Sequence, residues 1–96
     1  MKNKTTNTAT PERRADILVE NMTDETMLYH PDLDELHVLN PTAHLIWELC
    51  DGQHNLAEIT AQMQVAFQVP DHIDLMGDVE RTVSGFIEKR LLVELE

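Results

Sequence analysis

The feature that most constrains this chain is a change of period at Asn40. Before it, apolar residues come in three stretches of strand length; after it, they recur every three or four positions. A strand sends successive side chains to opposite faces, whereas a helix gathers positions i, i+3 and i+4 on one face, so the two halves must fold differently. The upstream stretches run from Asp16 to Met22, from Thr26 to His30 and from Glu35 to Leu39. Thr23, Asp24 and Glu25 can join the first two tightly, and Pro31, Asp32, Leu33 and Asp34 supply turn chemistry before the third. Within the third, Leu36 and Val38 lie opposite Glu35, His37 and Leu39. The expectation is a three-stranded antiparallel meander.

Downstream, Asn40 followed by Pro41 predicts a helix start, with the Asn side chain accepting from an orphan amide and Pro sitting where no amide partner is needed. Ala43, Ile46, Trp47 and Cys50 recur at helical spacing until Asp51 and Gly52 end the helix, Gly suiting a left-handed position. Asn55 with Glu58 three residues on is a capping-box variant, and Leu56, Ile59, Met63, Ala66 and Phe67 form the face of a second helix that stops before Pro70. Asp71 and Asp74 open a third, striped by Met76, Val79, Val83, Phe86, Ile87 and Leu91, and Leu92 to Leu95 can return as a brief strand. Three strands followed by a three-helix bundle make an α+β arrangement of the winged helix-turn-helix kind.

With 96 residues there is one domain, which buries about two-thirds of its extended surface in a single core. Apolar residues are 42% of the chain but aromatics only 4%, so that core is aliphatic around one Trp and two Phe. The opening residues 1–14 are polar, Thr/Asn-rich and without period, and read as a disordered tail ahead of a domain over residues 15–96. There is no apolar run long enough for a membrane span, the N-terminus lacks a signal-peptide core, and a lone Cys50 fits a reducing compartment, so the expected location is cytoplasmic.

Charge narrows the function. Residues 1–14 carry a net +3 and residues 15–96 a net −14, together the −11 of the whole chain. A domain this acidic repels phosphate backbones, which argues against DNA or RNA and for a basic or apolar partner. Chemistry is also sparse. His30, His37, His44, His54 and His72 are scattered without ligand spacing and read as surface histidines, so no metal site is expected. Cys50 falls on the buried stripe beside Ile46 and Trp47, which suits core packing better than nucleophilic work. Glu48, Asp51, Asp71, Asp74, Asp78 and Glu80 read as solvated helix faces, and the three glycines form no phosphate loop. No catalytic residue and no cofactor are expected.

The run LHVLNPTAHLIWELCDG, then LAEITAQMQVAF, then Asp78 and Val79, then FIEKRLLVEL resembles the PqqD family. These are small proteins and domains that recognise the precursors of ribosomally made, modified peptides. The correspondence rests on Leu39 and Asn40, on Ala43 with Ile46 and Trp47, and on the turn at Asp51 and Gly52. It continues through Leu56, Ile59 and Met63, the Asp78 and Val79 pair, and the closing Leu91 and Leu92, covering about residues 15–95. One departure is Arg90, where many members have Gly before the closing apolar pair.

The resemblance implies that a leader peptide adds as a strand to the sheet edge and lies against the third helix. Strand addition needs unpaired amides and carbonyls, which an edge at Glu35 to Leu39 would offer. The implied peptide-binding residues are Leu36, His37, Val38 and Leu39 from the strand, with Val79, Val83, Phe86, Ile87 and Arg90 from the helix. Core packing of Val83, Phe86 and Ile87 against Trp47 and Ile46 is the competing reading. The implied partners are a precursor peptide and its modifying enzyme, a radical-SAM maturase or a peptidase. Alternatives are a scaffold subunit that uses the same edge for a folded partner, and a winged-helix regulator, which the charge opposes.

Overall fold

Alternation over Thr26–His30 puts Thr26, Leu28 and His30 on one side of a strand, and that side is buried. The computed structural model, which describes residues 10–70 and 72–93, makes this strand the middle of an antiparallel sheet. In chain order β1 is Leu18–Asn21, β2 Thr26–His30 and β3 Glu35–Leu39, followed by α1 (Pro41–Leu49), α2 (Leu56–Phe67) and α3 (Leu75–Glu88). Three antiparallel strands followed by three helices is the architecture that the change of period implies. β1 is shorter than its apolar stretch because a turn at Ala15 and Asp16 carries Ile17 into the core, and Met22 already donates to the Glu25 carbonyl across the β1–β2 connection.

Each helix begins with a short polar cap. The Asn40 side chain accepts from the Ala43 amide at 2.8 Å, and Pro41 opens α1 without an amide to satisfy. At α2 the capping box is reciprocal, the Asn55 side chain accepting from the Glu58 amide at 2.8 Å while Glu58 accepts from the Asn55 amide at 2.9 Å. Asp74 caps α3 by accepting from the Gly77 amide at 3.2 Å, so close that a Cβ at Gly77 would collide with the Asp74 carboxylate. Asp71, expected to share this helix start, lies outside the described residues.

The end of α3 explains the family glycine that this chain lacks. Leu91 donates back to the Phe86 carbonyl at 2.9 Å and Arg90 to that of Ile87 at 3.0 Å, a Schellman closure whose turning residue must be left-handed. That residue is Arg90, with φ of 60°. Leu91 is thereby folded into the core beside Phe86.

Residues 10–14 are folded, which corrects the expected tail; the rest of that stretch, residues 1–9, lies outside the described residues. Arg13 donates from its amide to the Cys50 carbonyl at 2.8 Å, Gly52 to Pro11 at 2.9 Å, Arg14 to Leu91 at 3.0 Å and Val93 to Glu12 at 2.7 Å. The Arg13 guanidinium also donates to the Trp47 carbonyl, which the Cys50 amide already serves, and to that of Glu48, an orphan acceptor at the end of α1. This segment therefore lies between the end of α1 and residues 91–93. Main-chain pairing needs no apolar period, which is why composition gives no sign of it. The expected closing strand reduces to Leu92 in a single bridge with Arg13, and Glu94 and Leu95 lie outside the described residues.

Gly52 sits at φ of 79°, where a Cβ would come 3.2 Å from the Glu12 carboxylate. Two left-handed positions thus carry opposite predictions. Gly52→Ala is expected to lose about 1–2 kcal/mol, the usual penalty of an L side chain in this conformation. Arg90→Gly is expected to gain up to about 1 kcal/mol, relief of the same penalty being partly offset by glycine's chain entropy. Urea unfolding of both variants checks the signs.

The core lies between the sheet and the helices. The sheet side contributes Ile17, Leu28 and Leu39; α1 with its end contributes Ile46, Trp47 and Cys50; α2 contributes Ile59 and Met63. From α3 come Val79, Val83 and Phe86, and Leu91 and Leu92 close it. Trp47 meets Phe86 edge to face, with ring centroids 5.6 Å apart and planes at 81°. α1 packs against β3, α2 and α3, so it joins the two layers.

Candidate functional site

A strand paired on one side only keeps a row of unused amides and carbonyls on the other. β3 pairs with β2 from Glu35↔His30 to Leu39↔Thr26, and no further backbone partner is recorded for Glu35–Leu39 among the described residues. β1 forms the opposite edge of the sheet. The two edges differ in what stands beside them. Every residue of β1 is exposed, whereas β3 sends Leu39 into the core, half-buries His37 and is packed on by α1. A strand added beyond β1 would bury little; one added beyond β3 continues a sheet already seated on helices.

Cross-strand partners share a face, so the register sorts every side chain. The inner face carries Val19, Leu28 and His37 in one row and Asn21, Thr26 and Leu39 in the next, with His30 and Glu35 at the end. The outer face carries Leu18, Tyr29 and Leu36 in one row and Glu20, Met27 and Val38 in the next. Leu36 and Val38 are 58% and 53% exposed. Tyr29 is held by its hydroxyl, which donates to Asp34 at 2.6 Å, and that acceptor raises the phenol above its ordinary pKa.

Of the residues expected to bind peptide, Leu36 and Val38 are open on the outer face and His37 is half-buried on the inner one. Ile87 is 56% exposed on α3, and Arg90 is exposed just beyond it. Leu39, Val79, Val83 and Phe86 are core residues, which corrects their placement in a groove. The reason is geometric: the α3 stripe is wide enough for one side to cover α1 and α2, and that side takes Val79, Val83 and Phe86. β3 and α3 are brought together through α1, on which both pack.

The histidines are local rather than clustered, and not all are on the surface. His44 lies 3.0 Å from Glu48, and His54 lies 3.0 Å from Asp51, whose pKa is lowered first by that hydrogen bond. His30, read as a surface residue from the sequence, is 1% exposed and its Nδ1 accepts from the Leu33 amide at 3.3 Å. His37 Nε2 is 3.3 Å from a Glu35 oxygen but is not aligned for a hydrogen bond, and it is buried without another partner. Cys50 is fully buried, and burial pushes its thiol up to about 12, so it is a core residue and a poor nucleophile. Sequence reasoning missed Leu18, Met27 and Tyr29 as parts of one surface, because only the register aligns them with Leu36 and Val38.

Three antiparallel strands seated on a three-helix layer define a small winged-helix-like protein. The chain belongs to the PqqD family: the model for coenzyme PQQ synthesis protein D matches residues 25–92. Among solved structures, "TbiB1 in Complex with the TbiA(beta) Leader Peptide" is similar with a TM-score of 0.75 at 18% identity, over 88% of this chain and 98% of that one. A search of curated proteins gives no match. Among the described residues, no helix is long and apolar enough to cross a membrane.

Proposed function

We propose that this chain is a non-catalytic module that binds the leader region of a ribosomally made precursor peptide by strand addition at β3 and presents it to a modifying enzyme, such as a radical-SAM maturase or a peptidase. The observation that carries this reading is the outer edge of Glu35–Leu39, unpaired among the described residues, beside a packed helical layer. Membership of the PqqD family supports it, and so does the leader peptide in the complex of the similar TbiB1 structure. Backbone pairing supplies affinity with little demand on sequence, and side chains add selectivity. Leu36, His37 and Val38 would line the new strand, Ile87 and Arg90 would meet it from α3, and Leu39, Val79, Val83 and Phe86 would hold the two elements from beneath. The gain at the enzyme is effective concentration rather than new chemistry. Such a handover belongs in the cytoplasm, where the precursor is synthesised.

The test is a titration of the isotope-labelled chain with the leader segment of the precursor encoded beside its gene. Amide shifts along Glu35–Leu39 and near Ile87 and Arg90 are expected. Shifts confined to residues 10–14, or none at millimolar peptide, would count against the reading.

A further inference from the structure

The sheet has a second surface that strand addition leaves uncovered. Its outer face presents Leu18, 60% exposed, in line with Tyr29 and Leu36, and beside them Met27 and Val38. Five apolar or aromatic side chains in two adjacent rows form a contiguous patch, where an antiparallel sheet facing water ordinarily alternates to polar residues. The rim is acidic. Glu20 stands in the second row, and Asp34 is anchored there by the Tyr29 hydroxyl.

No Lys or Arg occurs between residues 15 and 80. Arg14, the cation adjoining the sheet in sequence, is engaged by Asp16 at 2.8 Å and by Asp32 at 3.5 Å. Among the described residues, Glu20 and Asp34 have no ion-pair partner, and both are exposed beside the apolar rows. Both carboxylates are therefore free to meet a cationic rim on a partner. Anionic membranes and nucleic acids have the wrong sign, and a second copy would bring another −11 against the first.

We propose that this outer sheet face docks the modifying enzyme itself, through an apolar patch on that enzyme ringed by Lys and Arg. The proposal rests on the peptide-delivery reading, and it assigns adjoining surfaces to the two partners, the β3 edge to the peptide and the flat of the sheet from β1 and β2 to the enzyme, with Leu36 and Val38 on the boundary. An apolar centre with a charged rim is the usual anatomy of a specific transient interface, the centre giving affinity and the rim giving rate and selectivity.

The experiment uses the full chain and the purified enzyme encoded with the precursor, with binding measured with and without the leader peptide. In Leu18→Lys/Glu20→Lys both substituted side chains are exposed on β1, away from the β3 edge. Enzyme association should weaken at least about tenfold, while leader-peptide affinity stays unchanged. Val65→Lys, on an exposed position of α2, changes charge elsewhere and should weaken neither. Association of the wild-type chain should also fall as salt rises from about 50 to about 500 mM. Glu20→Lys alone keeps the apolar rows intact and should still weaken association, which guards against a folding defect in the double variant. Unchanged enzyme association in both β1 variants would overturn the proposal. Equal loss of peptide binding would also overturn it, because the face would then belong to the peptide. Failure of the wild-type chain to bind peptide would instead strike the delivery reading, and the enzyme measurement without peptide would still decide the face.

Discussion

Val38→Pro and His37→Pro are expected to give opposite results. In an antiparallel ladder the amides of successive residues point alternately to the two neighbours, so one of these two residues donates to β2 and the other donates outward. Proline removes the amide and adds a ring in its place. Where the amide points to β2, the substitution breaks the β2–β3 ladder and should cost about 3 kcal/mol or more of stability. Where it points outward, the fold should persist, because no described backbone group uses that amide. An incoming strand would then lose a hydrogen bond and meet the pyrrolidine ring, a combined loss of about 2–3 kcal/mol or roughly a hundredfold in affinity. Circular dichroism separates the folded variant from the damaged one, and calorimetric titration with the leader peptide reads the loss. If the folded variant binds the leader as the wild type does, β3 is not the strand that receives it.

Trp47→Ala should have the largest effect on stability. Trp47 is buried on α1, meets Phe86 edge to face and gives its carbonyl to the Arg13 guanidinium, so its side chain and main chain tie α1 to α3 and to the N-terminal segment. Large-to-small substitution of a buried aromatic usually loses about 3–5 kcal/mol, a large part of the roughly 5–15 kcal/mol that holds a domain together. Urea unfolding followed by far-ultraviolet circular dichroism measures it. A loss below about 1 kcal/mol would mean that the core is not organised around this ring.

The change of period at Asn40 made the architecture legible, because caps are local chemistry. Asn40 and Asn55 each bond an amide three residues away, and Pro41 fits the first turn whatever the rest of the chain does. The proposed peptide site was half legible. Alternation separated Leu36 and Val38 from His37 and Leu39, but the apolar stripe of α3 showed which residues avoid water without showing what covers them. Val79, Val83 and Phe86 proved to be covered by the molecule itself, while Ile87, one residue beyond Phe86, stays open. Residues 10–14 were illegible because they pair through main-chain groups that every sequence possesses. The outer sheet patch was illegible for another reason: Leu18, Tyr29 and Leu36 belong to three different strands, and their alignment depends on registers that single-strand patterns do not contain.

The position of Glu12–Arg14, between Cys50–Gly52 and Leu91–Val93, also governs when the domain becomes whole. Contacts this far apart in sequence are the last to be rewarded during folding, because the intervening chain must be ordered before they close. On the ribosome the partners of Arg13 emerge one after the other, Cys50 with the end of α1 and Leu92 only after α3. A nascent chain can thus form its sheet and α1 early while the carbonyls on one flank of the N-terminal segment stay wet. The clasp on the other flank waits for Leu91–Val93, so the two sides of this segment are satisfied at different times.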